Sequence, residues 1–98
     1  MNKKHNSDWD DEHFVDLCSS LGKLKTKDEC KKFLRDLCTV AELKAMSERF
    51  RAVRLLEEGQ SYRSISKETG LSTATVTRIA HWLNNGMGGY KLILNRYE

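Results

Sequence analysis

Seven side chains in the second half of this 98-residue chain have types and spacing suited to holding a polyanion and touching base edges. Ser72, Thr73, Ala74, Thr77 and Arg78 cluster in one short run, with Arg63 and Lys67 upstream of them. Together they supply hydroxyls, methyls and cations, and no carboxylate is among them. At the start of an α-helix such groups can enter the major groove of duplex DNA. There hydroxyls reach phosphates or base edges, arginine grips guanine, and an alanine or threonine methyl meets the methyl of thymine. Arg63 and Lys67, on a preceding helix, would lie over the backbone and fix orientation rather than read sequence.

The elements that must position these groups are legible around them. Ser61 is placed to cap a short helix from Tyr62 to Thr69, which Gly70 ends because glycine tolerates positive φ. Ser72 is placed to cap a second helix running to about Leu83. Ile65, Leu71, Val76 and Ile79 form an inner apolar set that would hold the two helices at a steep angle. This is the layout of a helix-turn-helix over about residues 62–82.

Upstream, the acidic run from Asp8 to Glu12 precedes Phe14, Leu17, Cys18 and Leu21, which share a helical face closed by Gly22. Thr26 and Glu29 form a capping box before a stripe of Cys30, Phe33, Leu34 and Leu37. A second box, Thr39 and Glu42, opens a long helix with Leu43, Met46, Phe50, Val53 and Leu56 in phase, ending at Gly59. Beyond Gly88-Gly89, Tyr90, Ile93, Leu94 and Tyr97 mark a last amphipathic helix. Residues 1–7 read as a disordered arm, and 8–98 as a single helical domain. Proline is absent, which suits uninterrupted helices. So many apolar stripes on so short a chain point to a core completed by a second copy.

Charge is unevenly distributed. Twelve basic side chains balance twelve acidic ones in residues 1–60, so the net +3 resides in residues 61–98, beside the proposed reader. No segment has the roughly 20 consecutive apolar residues of a membrane span, and the N-terminus lacks the apolar stretch of a signal peptide, so a cytoplasmic protein is expected. Cys18, Cys30 and Cys38 form no C-x-x-C and lie among apolar residues, where thiols pack as small hydrophobes. His5, His13 and His81 are not at metal-ligand spacing, and the acidic cluster at residues 8–12 lacks the glycine of a calcium loop. No phosphate loop, nucleophile elbow or zinc-protease signature is present, so neither an enzyme nor a metal site is expected.

The run from Thr39 to Leu83 resembles the tryptophan repressor family, particularly its YerC/YecD-type members. The resemblance rests on Thr39-x-x-Glu42, Arg49-x-Arg51-x-Val53-x-x-Leu56 and Glu58-Gly59. It continues through Ser64 to Gly70 and is most specific at Ala74-Thr75-Val76-Thr77-Arg78. It implies an all-α, six-helix fold, an intertwined homodimer, and two reading heads set into successive major grooves of a palindromic operator. The function implied is a sequence-specific transcriptional regulator, a repressor, bearing on amino-acid metabolism.

The resemblance also implies an amino-acid corepressor pocket of Thr39, Arg49, Arg78, Ile79 and Trp82. Ile79 and Trp82 are bulkier than the family's small residues there. Trp82 is expected to pack as a core residue and to fill the space of a free indole, so tryptophan is not the expected ligand. The alternative reading is a protein-interaction module that docks another protein through the same helix pair.

Overall fold

The structure, a computed structural model, describes residues 8–97; the expected N-terminal arm lies outside the described residues. Six α-helices follow a 3₁₀ turn at Asp8–Asp10, and the described residues contain no strand. Packing divides the chain into two units, one ending at Thr39 and the other beginning at Val40.

The first unit holds α1 (Glu12–Leu21) and α2 (Lys27–Leu37). Asp11 caps α1, its carboxylate accepting from the amides of His13 and Phe14 at 3.0 and 3.2 Å. Satisfying two otherwise orphaned amides while placing negative charge at the positive end of the dipole explains why the helix starts here. The Trp9 and Phe14 rings lie 5.7 Å apart, so the 3₁₀ turn folds back on the first turn of α1. At α2, Thr26 accepts from the Glu29 amide at 3.1 Å. Glu29 in turn accepts from the Lys25 amide at 2.8 Å, one residue further back than in the reciprocal box. Neither helix buries a single side chain. Cys18, expected to pack as a small hydrophobe, is exposed, and Cys30 and Cys38 are half-buried free thiols.

The second unit holds α3 (Val40–Glu57), α4 (Tyr62–Thr69), α5 (Thr73–Asn85) and α6 (Gly89–Asn95). α3 begins directly after Thr39. At its other end Gly59 adopts φ +88°. The Gln60 and Gly59 amides donate to the carbonyls of Leu55 and Leu56 at 3.1 and 3.0 Å, the paired bonds of a Schellman stop. α5 runs two residues past Leu83, until Gly86 accepts no further turn.

The core lies where α3, α4 and α5 meet. Ala52, Val53, Ile65 and Val76 are wholly buried, with Ile79 and Leu83 nearly so, and Leu71 packs against them. The four inner positions expected from the sequence, Ile65, Leu71, Val76 and Ile79, thus meet each other and the middle of α3. Phe50 and Leu56 of the long stripe on α3 pack against this core, while Met46 remains exposed. α6 adds Tyr90 and Leu94 to the edge of this core, and Arg54 of α3 lies 4.2 Å above the Tyr97 ring just beyond α6.

Gly70 sits at φ +82°, and a Cβ there would meet nothing within 4 Å. The constraint is therefore conformational rather than steric crowding. Gly70→Ala is expected to cost about 1–2 kcal/mol, the penalty of a left-handed L-residue. Gly89→Ala, at a helical position with equally open space, should be neutral or stabilising by up to about 1 kcal/mol. Urea unfolding of the two variants measures the contrast.

Candidate nucleic-acid interface

The link between α4 and α5 is three residues, Gly70-Leu71-Ser72, and it is held more firmly than glycine alone requires. The Gly70 amide donates to the Ser66 carbonyl at 2.9 Å. Ser66 Oγ then donates to the Leu71 carbonyl at 2.6 Å, while Thr69 Oγ1 accepts from the Leu71 amide at 3.2 Å and donates to the Ile65 carbonyl at 2.7 Å. Both polar groups of Leu71 are thereby satisfied while its side chain turns inward. Ser66 and Thr69 were not singled out from the sequence. The signal available was hydroxyl residues in the last turn of a helix ending at glycine, where they compete for local backbone groups.

Ser72 caps α5 by accepting from the Thr75 amide at 3.1 Å, and its own hydroxyl donates to Thr75 Oγ1 at 3.0 Å. With Val76 and Ile79 held in the core, Ser72, Thr73, Ala74, Thr77 and Arg78 are all exposed. Arg63 and Lys67 are exposed on α4. Together with Ser64, Ser66 and Thr73, they line a cleft of about 400 Å³ between α4 and the start of α5. The seven residues therefore fall into two groups: a cationic cleft that includes Thr73, and a projecting helix tip.

The one carboxylate of α4 is engaged by Arg51. Arg51 of α3 donates to the Glu68 carbonyl at 3.2 Å and pairs with its carboxylate at 3.7 Å, and it also reaches Glu48 at 3.4 Å. Glu68, the one acid on α4, is thus turned toward α3. Arg63, Lys67 and Arg78 form no ion pair among the described residues.

The expected ligand residues come together in part. Arg49, Arg78, Ile79 and Trp82 line a cavity of about 440 Å³ with Thr75 and Tyr90, two residues the sequence reading did not include. Thr39 is not among the lining residues. Trp82 corrects the expectation made for it: the side chain is 54% exposed and does not plug the cavity. The core face of α5 is set by Val76, Ile79, Ala80 and Leu83, which leaves Trp82 on its flank. Its ring edge lies 3.4 Å from where a Gly86 Cβ would stand, so the indole rests over that glycine. Trp82 and Tyr90 also line a more apolar groove of about 430 Å³, with Phe50, Met87 and Ile93 among its other residues. Ile79 is 5% exposed and belongs to the core as well as the cavity floor. Among the described residues no group of three acids, histidines or cysteines is gathered to hold a metal ion. No described helix is long and apolar enough to cross a membrane.

A family model for the Trp repressor protein matches residues 12–98. The chain belongs to the Trp repressor family. The match spans both units and every helix described above, and the family is one of regulatory proteins. Among curated proteins, the uncharacterized protein YerC of Bacillus subtilis (strain 168) is 41% identical over 82 residues, covering 84% of this chain and 79% of that one. A TrpR-like protein from Eubacterium eligens ATCC 27750 superposes with a TM-score of 0.86 at 34% identity, covering 94% of this chain and 95% of the other. A crystal structure from Staphylococcus aureus, described as a candidate Trp repressor, gives 0.82 at 32% identity over 91% and 89% of the two chains. The all-α, six-helix architecture is therefore that of Trp repressor-like proteins.

The double role of Thr69 gives a direct test of the turn. Thr69→Val keeps the shape but deletes both hydrogen bonds, and should destabilise the protein by about 1–2 kcal/mol. Thr69→Ser should recover most of that loss, as read from urea midpoints at constant slope.

Proposed function

We propose that this chain is a sequence-specific DNA-binding transcriptional regulator, a repressor, that works as a homodimer on a palindromic operator. In this reading α4 and α5 form a helix-turn-helix. The observation that carries it is the pairing of a cationic cleft at Arg63 and Lys67 with a carboxylate-free tip at Ser72–Arg78. The cleft supplies phosphate contacts, which set affinity and register, and the tip meets base edges.

Dimerisation is supported by the apolar surface left open. α1 and α2 bury nothing, and Phe14, Leu21, Leu37, Met46 and Ile93 are all exposed. Large apolar side chains left exposed at several positions in each unit give a second copy of the chain something to cover. Pairing of two chains would cover these side chains, with residues 8–98 of each acting as the single domain expected of them. Two symmetric heads should then read half-sites with centres about 34–36 Å apart.

The Arg49–Arg78 cavity fits a small anionic corepressor with a planar apolar body. Two guanidiniums without ion-pair partners among the described residues face it alongside two aromatic rings. Trp82 would form one wall of such a site. Arg78 lines the cavity and is exposed on the reading helix, so a ligand there would act on a DNA-contacting side chain.

Selection of bound fragments from a random duplex pool at low salt tests the reading. The recovered sites should be two-fold symmetric with half-sites one helical turn apart. With Arg63 and Lys67 contributing from each of two chains, log affinity should fall with log salt at a slope of about −4. Arg78→Ala should cost about 1–3 kcal/mol on the recovered site and less on random DNA. Failure to retain any duplex would remove the proposal and leave the helix pair as a protein-docking surface.

A further inference from the structure

We infer that α5 recognises thymine chiefly through its 5-methyl group, using the methyls of Ala74 and Thr77, with Arg78 as the hydrogen-bond donor to a neighbouring base. The inference rests on the DNA-binding reading above and specifies what that surface would select.

The hydrogen bonds at the tip decide which groups remain available. Four hydroxyls crowd this end of α5, which at first sight makes it a hydrogen-bonding surface. Ser72 Oγ already accepts from the Thr75 amide and donates to Thr75 Oγ1. Thr75 is half-buried and lines the cavity behind the tip. Thr77 Oγ1 donates to the Thr73 carbonyl at 2.9 Å, so its hydroxyl is turned back onto its own helix. Thr73 lines the cationic cleft, on the side assigned to phosphate.

What the outward ridge offers is therefore the Ala74 methyl, the Thr77 Cγ2 methyl and the free guanidinium of Arg78. Thr77 and Arg78 stand three and four residues beyond Ala74, so the Cβ of each lies about 5–6 Å from that of Ala74. That separation spans one to two base-pair steps of about 3.4 Å. In the major groove only thymine carries a methyl, and guanine offers the paired acceptors that arginine grips. The half-site expected is a thymine-bearing step flanked by a G·C pair.

The test uses the full-length protein and the duplex recovered from the random pool, remade with uracil replacing each half-site thymine in turn. Uracil pairs as thymine does and lacks only the methyl. At the contacted positions uracil should weaken binding about fourfold per methyl, the effect of one buried methyl-sized group. Thr77→Val keeps a methyl in place and should bind as tightly as the parent. Thr77→Ser keeps the hydroxyl and should bind about fourfold more weakly. It should also no longer distinguish uracil from thymine at its position. Neither variant adds bulk to the helix, and matching thermal melts establish that both fold.

Equal affinity for thymine and uracil at every half-site position would overturn the inference. So would the reverse order of variants, with serine equal to the parent and valine impaired, because it would show that the hydroxyl is read. Either of those outcomes leaves DNA binding intact. Retention of no duplex would overturn the DNA-binding reading and this inference with it.

Discussion

The burial of six apolar side chains at the crossing of α3, α4 and α5 is the interaction on which the rest depends. Each fully buried valine or isoleucine there stabilises the fold by roughly 1.5–3 kcal/mol, and the set is small enough that no member is redundant. Ile65 reaches inward from α4, Val76 and Ile79 from α5, and Ala52 and Val53 from α3. Because Val76 and Ile79 are fixed, the positions between and before them have one direction left to face. The outward display of Ala74, Thr77 and Arg78 follows from helical geometry once that core is formed. A left-handed glycine then lets two short helices meet at close range without a long connecting loop.

Polar contacts complete what the core begins. Arg51 draws the single acid of α4 toward α3, so the cleft at Arg63 and Lys67 carries uncompensated positive charge. Local hydrogen bonds from Ser66, Thr69, Ser72 and Thr77 orient hydroxyls onto the backbone, which stiffens the turn and leaves methyls and one guanidinium pointing outward. Arg78 stands where two surfaces meet, since it lines the cavity shared with Arg49, Trp82 and Tyr90 and also faces solvent beside Thr77.

Much of this was legible in the residues themselves. Helix ends were read well where a cap has a specific chemistry: Thr26, Ser61 and Ser72 each accept from the amide three residues on, and Gly59 and Gly70 adopt positive φ. The four inner positions of the helix pair were likewise fixed by periodicity. The misses have a common cause, which is that periodicity reports a face but not what covers it. Trp82 lies on the flank of α5 beside Gly86, so an aromatic expected inside is more than half exposed. Cys18 shares an apolar stripe that no described residue fully buries. Thr75 and Tyr90 enter the cavity from α5 and α6, a juxtaposition that depends on how α6 turns after Gly88. No pattern in one dimension encodes it.

The central claim is that the tip of α5 and the cleft beside it form the DNA-contacting surface. Amide chemical-shift mapping during titration of the full-length protein with a short duplex at low salt tests it most directly. The account predicts shifts concentrated at Arg63, Lys67 and Ser72 through Arg78, fading as salt is raised. Shifts confined to α1 and α2, or none at all, would contradict it.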